Sequence, residues 1–557
     1  MSPVHFYGAG KPKDAYIDLL HAPAVAIDTE TVSLDNPETL CFAVTDRPDR
    51  SFVFEMEDGQ LPRDGEFLTA VMANPNVVKI GHNWLYDLTV MPHIHRVMDF
   101  FSRTRLWDTN VAARLQGEPL TALPVLAPDV GKWTEPAKDI MKRYKTKTFR
   151  DVPIGEVNLH CSLDVEATMA LYQEQVPWVA ENLPAGYFDI EMQAVPIITD
   201  IGAKGLLIDH EELDRLMVNA KEELQDHLDR CHRMCPQLVN PNSTPQTIDA
   251  LIKRGNYLPP NKKRTNVTTD KIALAKIKDP LAAAITLYRS ALHDISTYLS
   301  PVMEMDRWPN RYTFETGVGR LSSRDRNTQN IPEKLRSFLI PDYGMWTMAD
   351  YKMEHMFILM EFSEDREMQR VLREGYAGGD IHTFTASRLF NVALDDVAYA
   401  QRKLAKTVNY AIAYGATAET LMESSGSTDK VRCQWLLDEW FRIFHGAARW
   451  IEYAKHVGMT DGWSLPTVFG RRVKIQQERK DAMERKCVNY PILGSDGEVC
   501  KRGVIRLAEM GLGPPVLSIL VHDEYVLDGD VVVPVEELEN LTPFTIPIDV
   551  KQVARWE

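Results

Sequence analysis

No stretch of this 557-residue chain approaches the ~20 consecutive apolar residues that a membrane-spanning helix needs. The opening MSPVHFYGAGKPKD lacks the apolar centre of a secretory signal. Cysteine is sparse and odd in number: Cys41, Cys161, Cys231, Cys235, Cys433, Cys487 and Cys500 are too scattered for a disulfide framework. That distribution points to a soluble chain in a reducing, cytoplasmic compartment. The one local cluster, Cys231-His232 with Cys235, has no second Cys/His pair to complete a zinc site. Positive charge is in deficit, with 63 Lys+Arg against 79 Asp+Glu and a net charge of −16. A histone-like coat is thereby excluded, although an acidic body can still hold one basic channel. Internal repeats, low-complexity tracts and a Walker-type Gly-rich loop are also missing. What remains is a globular composition, 44% hydrophobic and 25% charged, at a length suited to about three or four domains.

Along the chain, AVAIDTE, LCFAVTD, SFVFEME and VVKIGHN read as strands separated by turns. LYDLTVMPHI, WDTNVAARLQ and LDVEATMALYQEQV read as helices, which predicts an α/β domain ending near residue 187. From Phe188 to about Pro309 the periodicity is helical, as in EELDRLMVNAKEELQDHLDRCHRM and PLAAAITLYRSALHDISTYLSPV. Between these lies a basic interval whose Lys262, Lys263 and Arg264 form either a solvated loop or a flexible tip that touches a phosphate backbone. After Arg311 the types mix: a strand into Asp350, helices from about 380 to 457, and a hairpin around His522.

Asp28 and Glu30 end a predicted buried strand, so both carboxylates leave one face of it. The spacing alone means little, since Asp64/Glu66, Asp189/Glu191, Asp209/Glu211 and Asp496/Glu498 repeat it. Company gives it weight. Asp87 stands one turn past a strand end and Asp164 one turn after His160. Four converging acids form an anionic cage for two divalent metals, which can generate hydroxide and stabilise the leaving oxygen of a phosphodiester. The bland alternative is four unrelated N-caps and surface acids. AIDTE, GHNWLYD and HCSLD together resemble the three motifs of the DEDD 3′–5′ exonucleases, nearest to the proofreading domain of family A DNA polymerases. The resemblance implies Asp28, Glu30, Asp87 and Asp164 as metal ligands. It also places His160 where a water-orienting tyrosine is usual, to act as orienter or general base.

The rest of the chain extends the resemblance. YTFETGVGRLSSRDRNTQNIP is similar to the family A segment lining the primer-template minor groove, with Arg320 as its probing arginine. TMADYKMEHMFILMEFS resembles motif A, implying Asp350 as a ligand of both magnesium ions and Tyr351 as a carbonyl donor. VLSILVHDEYVLDGD resembles motif C, implying Asp523 as the second metal ligand, Glu524 beside it and His522 near the primer end. In LDDVAYAQRKLAKTVNYAIAYGA, Arg402, Lys406, Tyr410 and Tyr414 fall four apart and share one helical face. Two cations followed by two aromatics suit a triphosphate with a stacked base. Alone this stripe reads as a snorkelling surface, but it matches family A motif B. GGDIHTFTASRLF resembles the segment before motif B. FGRR and ERKCVNYPILGSDG resemble the palm helix, implying template and primer contacts at Arg485 and Asn489.

The resemblance spans about residues 20 to 530. It implies an α/β and α+β multidomain fold: a ribonuclease H-like exonuclease domain (1–187), then a right-hand polymerase with thumb (188–310) and palm and fingers (311–557, fingers about 365–457). It implies two Mg²⁺ per active site with Mn²⁺ as a substitute, primer-template DNA and dNTPs as partners, replisome proteins such as a helicase and single-strand binding protein, no membrane, and a monomer. With no 5′-nuclease domain ahead, the layout resembles phage replicative enzymes, working in a host bacterial cytoplasm. Three positions depart from the family pattern. Met353 and Leu493 replace glutamines, and His355 replaces the glutamate that walls off the sugar 2′-position. A single-subunit RNA polymerase shares the palm motifs and lacks that glutamate. The exonuclease motifs, GRLSS…QNIP and Glu524 stand against it. A degenerate, template-binding palm is disfavoured because every implied ligand is present.

Overall fold

The computed structural model describes residues 4–8, 11–33, 38–56, 71–91, 105–260 and 267–556, apart from 315, 325 and 428. Lys262, Lys263 and Arg264, like Asp64 and Glu66, lie outside the described residues. Among those described, no helix is long and apolar enough to cross a membrane.

The strand-rich opening folds as one six-stranded sheet. Its strands β1 (Val4–Gly8), β2 (Ala24–Thr31), β3 (Thr39–Thr45), β4 (Arg50–Glu55), β5 (Val78–Gly81) and β6 (Arg105–Asp108) run in the order β1-β4-β3-β2-β5-β6. The β1 to β4 side pairs antiparallel, whereas β2, β5 and β6 are parallel. β2 is central, with Val25, Ala26 and Ile27 sealed from solvent. Helix α1 (Trp84–Val90) follows β5. Helix α2 (Ile154–Asn182) crosses the sheet, seating Val157, Cys161, Val165 and Met169 at four-residue spacing in the core. That seating carries His160 and Asp164 to the end of β2. One expectation is corrected here. WDTNVAARLQ does not begin as helix: Trp107 and Asp108 close β6, and the Asp108 carboxylate accepts the N–H groups of Asn110 and Val111, so the helix starts at Thr109. The opening VHFYG is itself an edge strand.

Helix α3 (Tyr187–Lys204) leads into α4 (His210–Met234) and α5 (Pro280–His293), as the periodicity predicts. The helical tract is nevertheless interrupted. Leu206–Ile208 pairs with Arg307–Trp308 and Leu339–Ile340 in a small antiparallel sheet. A second sheet holds β7 (Trp346–Tyr351), β8 (Leu517–Val521), β9 (Glu524–Asp528) and β10 (Ile548–Val553), in the order β8-β9-β7-β10, all antiparallel. Its helices are α6 (Glu354–Ser363), α7 (Ile381–Phe390), α8 (Tyr399–Ala413), α9 (Lys430–Ile443), α10 (His445–Asp461) and α11 (Lys480–Glu509).

Helix α11 is the spine of this half, and buried polar groups pin it to α3. The Lys501 ammonium, without solvent exposure, pairs with Glu191. The Tyr187 hydroxyl donates to Glu498 Oε1 at 2.7 Å, and Thr467 Oγ1 donates to the same oxygen at 2.9 Å. Buried Arg471 donates to the carbonyls of Gly317 and Val318 at 3.1 and 3.2 Å. Removing one partner of a buried pair strands the other charge, at a cost of about 3–5 kcal/mol. Glu191→Ala is therefore expected to lower the thermal midpoint sharply. Pairing Glu191→Leu with Lys501→Met should recover most of the loss, as read by calorimetry.

Candidate active sites

At the end of β2 the side chains of Asp28 and Glu30 leave the sheet on one face, and α2 brings His160 and Asp164 against them. Ligand atoms of Glu30, His160 and Asp164 all lie within 4.8 Å of one another. His160 Nε2 is 3.2 Å from Glu30 Oε1, and Nδ1 is 3.5 Å from Asp164 Oδ1. Asp28 and Asp87 flank this trio. Asp28 accepts from the Cys161 thiol at 3.4 Å and Asp87 from the Thr29 hydroxyl at 2.6 Å. Burial, and then the charge of Asp164, raises the Asp28 carboxyl well above its usual range. Glu30 and Asp87 are raised by burial and then by Asp28, and Asp164 by burial. Burial also lowers His160 to about 4, so its imidazole is neutral near pH 7. Among the described residues, Asp164 Oδ1 and His160 Nδ1 are buried without a hydrogen-bond partner. Orphaned acceptors inside a set of mutually repelling oxygens are a donor set that fits a hard divalent cation.

The second site lies at one end of the β8-β9-β7-β10 sheet. Asp350, on β7, pairs in register with Glu524 on β9, and the Tyr351 N–H donates to the Asp523 carbonyl at 3.2 Å. A hairpin turn at His522, whose φ is +56°, places Asp523 beside Asp350. Burial and the Asp523 charge raise Asp350 to about 6, and burial and Asp350 raise Glu524 to about 7. Asp523 is raised by burial and then by Asp496. Tyr351 is buried, its hydroxyl tied to the Leu538 carbonyl at 2.8 Å.

Helix α8 faces these acids. Lys406 lies in the field of Asp350, and burial followed by Asp523 and Asp350 raises the Tyr410 phenol to about 12. Arg402, Lys406 and Tyr410 share an open pocket wall with Tyr399. Arg402 Nε also holds Asp380 at 2.7 Å. Tyr414 caps the helix, and Gly415 follows at φ +71°, where a Cβ would come within 3.0 Å of Arg485 Cα. That close approach sets α8 against α11, on which Arg485 and Asn489 sit; Asn489 Oδ1 is buried without a partner among the described residues.

Three further residues belong here. Asp496, read above as a meaningless spacing with Glu498, is 1% exposed and is the hub of a hydrogen-bonded chain. It pairs with Arg320, and its Oδ2 lies 3.3 Å from His355 Nε2; His355 Nδ1 in turn lies 2.7 Å from the Tyr414 hydroxyl. Burial opposes ionisation of Asp496, yet Arg320 and His355 hold its carboxyl below the usual range. Glu354, 2% exposed, has a bare Oε1 and is raised well above its usual range by burial and then by Asp496. His382 is buried behind Arg402 and Lys406 with Nε2 unpartnered among the described residues, its ring 5.6 Å from that of Tyr410. A helix-facing histidine three residues after the glycine pair GG is a weak signal. Asp496 had none, because its meaning comes from Arg320.

Carboxyls whose pKa is raised on folding bind protons more tightly in the native state, so they contribute stability that is present at low pH and lost as pH rises through the raised value. For Asp350 that loss runs from the ordinary 3.8 up to about 6, and for Glu524 from 4.5 up to about 7. In chelator, the thermal midpoint is expected to rise as pH is lowered from about 8 to about 5.5. Asp350→Asn with Glu524→Gln should reduce that rise, and divalent cation should reduce it further.

Residues 210–545 match the model of DNA polymerase family A, and residues 8–176 match that of a 3′–5′ exonuclease. The DNA polymerase I of Chloroflexus aurantiacus is 28% identical over 94% of this chain and 58% of its own length. That of Pseudomonas aeruginosa is 27% identical over 92% of this chain and 60% of its own. The chain thus spans about three-fifths of the length of these relatives. In fold it resembles the POL domain of Pol1 from M. smegmatis, solved with DNA primer-template and dNTP, with a TM-score of 0.76 at 21% identity over 99% of both chains. With more than half of its residues inside the family model, the chain belongs to DNA polymerase family A and carries a 3′–5′ exonuclease domain ahead of the polymerase domain.

Proposed function

We propose that the protein extends a primer 3′ end with dNTPs under the direction of a DNA template, and removes 3′-terminal nucleotides at a second site, in the service of DNA replication. The observation that carries this reading is the placement of Asp350 and Asp523 side by side at a sheet end, opposite the Lys406 and Tyr410 face of α8. In this reading residues 1–187 are the exonuclease, 188–310 the thumb and 311–557 the palm and fingers. Asp350, Asp523 and the Tyr351 carbonyl would hold two Mg²⁺, or Mn²⁺ in their place. Asp28, Glu30, Asp87 and Asp164 would hold the exonuclease pair. Bound divalent ions supply charge stabilisation for in-line phosphoryl transfer and lower the pKa of the attacking hydroxyl or water.

The chain's own residues do the rest. Arg402, Lys406 and the open Nε2 of His382 receive the triphosphate, whose departing pyrophosphate gathers charge beside Lys406. Tyr410 and Tyr414 give the incoming base a stacking face. Arg320, oriented by Asp496, meets minor-groove acceptors common to all base pairs. Arg485, Asn489 and His522 line the duplex side. In the exonuclease, His160 is neutral and acts as an orienter held by Glu30; a nitrogen at about 4 is too weak a base for neutral pH. Primer-template DNA and dNTPs are the substrates, with replisome proteins as further partners of a monomer in the cytoplasm.

The two activities should separate. Asp28→Ala with Glu30→Ala is expected to abolish degradation of single-stranded 3′ ends and spare primer extension. Asp350→Ala or Asp523→Ala should do the reverse. Palm variants that also lost single-strand degradation would overturn the two-site reading.

Sugar selection gives a sharper test. The position facing Tyr410 is held by His355, whose ring stands edge-on at 6.2 Å and is anchored on both nitrogens. Ready dideoxynucleotide termination is expected, together with weaker ribonucleotide exclusion than an acidic wall provides. In an exonuclease-dead background, Tyr410→Phe should restore dideoxy discrimination and His355→Glu should tighten ribose exclusion. Strong exclusion in the parent, with dNTP incorporation lost in His355→Glu, would make histidine itself the gate.

A further inference from the structure

Residues 132–150, KWTEPAKDIMKRYKTKTFR, carry seven cations against two carboxylates, in a chain whose net charge is −16. Lys138 and Lys142 lie one turn apart on the helix Ala137–Arg143 and share its outer face. Lys145 and Lys147 continue the line toward the turn Phe149–Asp151. All four are exposed. Among the described residues none of them is ion-paired, whereas Lys132, Arg143 and Arg150 hold Glu166, Glu135 and Glu38. Two aromatic side chains stand open among them, Trp133 at 63% and Tyr144 at 38% exposure. Unpaired cations interleaved with open rings suit a single strand, whose phosphates meet charge while its bases stack. A duplex keeps its base faces enclosed and leaves the rings without a partner.

The segment also leads somewhere. Thr148 Oγ1 and the Phe149 N–H each donate to the Val32 carbonyl at 2.9 Å, two residues beyond Glu30. The Phe149 ring stands edge-on to His160 at 5.8 Å. A polyanion lying along the lysines therefore arrives at the rim of the Glu30, His160 and Asp164 cluster.

We infer that this surface is a track for single-stranded nucleic acid that delivers a 3′ end to the exonuclease cluster. Lys138, Lys142, Lys145 and Lys147 hold phosphates upstream of the terminal nucleotide, and Trp133 and Tyr144 stack its bases. The inference rests on the exonuclease reading above, and adds a substrate path outside the cluster itself.

The test uses the full chain with all four lysines changed to Gln (K138Q, K142Q, K145Q and K147Q together), and separately W133A. Single-stranded oligodeoxynucleotides of about 3 and about 15 nucleotides bracket the site sizes typical of stacking platforms. On the long strand KM is expected to rise roughly ten- to hundredfold in the Lys variant, with kcat kept and the salt dependence of log KM shallower by up to about 3. W133A should raise KM on the long strand alone. On the short strand, and in primer extension, neither variant should differ from the parent. An unchanged KM on the long strand, or an equal rise on both lengths, would overturn the track. If the parent degrades neither strand, the exonuclease reading fails. Anisotropy of the labelled long strand then decides the track: lost binding in the Lys variant upholds it, and unchanged binding refutes it.

Discussion

Lys501 carries an ammonium with no access to water, and it persists only while Glu191 stays beside it. That requirement ties α11 to α3, and the Tyr187–Glu498–Thr467 hydrogen bonds lock the same contact one turn away. Much of the candidate polymerase site is referenced to α11. Asp496 projects from it to Arg320 and His355, Arg485 abuts the end of α8, and the Tyr525 hydroxyl of β9 donates to the carbonyls of Val499 and Cys500 at 3.3 Å. Meanwhile α3 packs on the exonuclease side, with Met192 and Ile198 in the core that also holds Trp84 and Leu88 of α1. One buried ion pair thus sets the frame in which two clusters of acids keep their geometry.

Those acids fall into two kinds. Asp496 is fully buried and stays ionised because Arg320 is supplied by the chain. Asp87 is buried and Asp28, Glu30 and Asp164 are partly so, with no cation beside them among the described residues; desolvation favours their neutral forms, and repulsion adds to it for Asp28, Glu30 and Asp87. Asp350 and Glu524 are intermediate, tempered by Lys551 and, for Asp350, by Lys406. The first kind does structural work in the charged state. The second is costly to ionise until a cation from solution completes it, which is the electrostatic signature of a ligand set rather than of a scaffold.

How much of this was legible in the sequence follows from where each signal resides. Asp28, Glu30, Asp350 and Asp523 sit at strand ends whose apolar runs announce them, and the Arg402 to Tyr414 stripe is written in a single helix. Local pattern sufficed there. It failed where meaning is non-local. Asp496 shares its D-x-E spacing with unrelated pairs, and only the approach of Arg320 and His355 gives it a role. Strand β10 escaped because it is a mostly exposed edge strand with little apolar alternation. Trp107 and Asp108 scan as the first turn of a helix, but parallel pairing with β5 claims them for a strand, and the Asp108 carboxylate then serves as the cap. Helical period likewise concealed Leu206–Ile208, three residues being too few to show an alternation.

Gly415 combines two demands that are usually met separately. Its φ of +71° lies in the left-handed region, which asparagine tolerates elsewhere in this chain, as Asn83 and Asn391 do. Yet a Cβ there would stand 3.0 Å from Arg485 Cα and 3.2 Å from its carbonyl oxygen, closer than ordinary van der Waals contact, and both obstacles are backbone that gives way only if the helices shift. Conformational tolerance therefore cannot rescue a substitution. In a randomised library, codon 415 should be one of the least permissive in the gene.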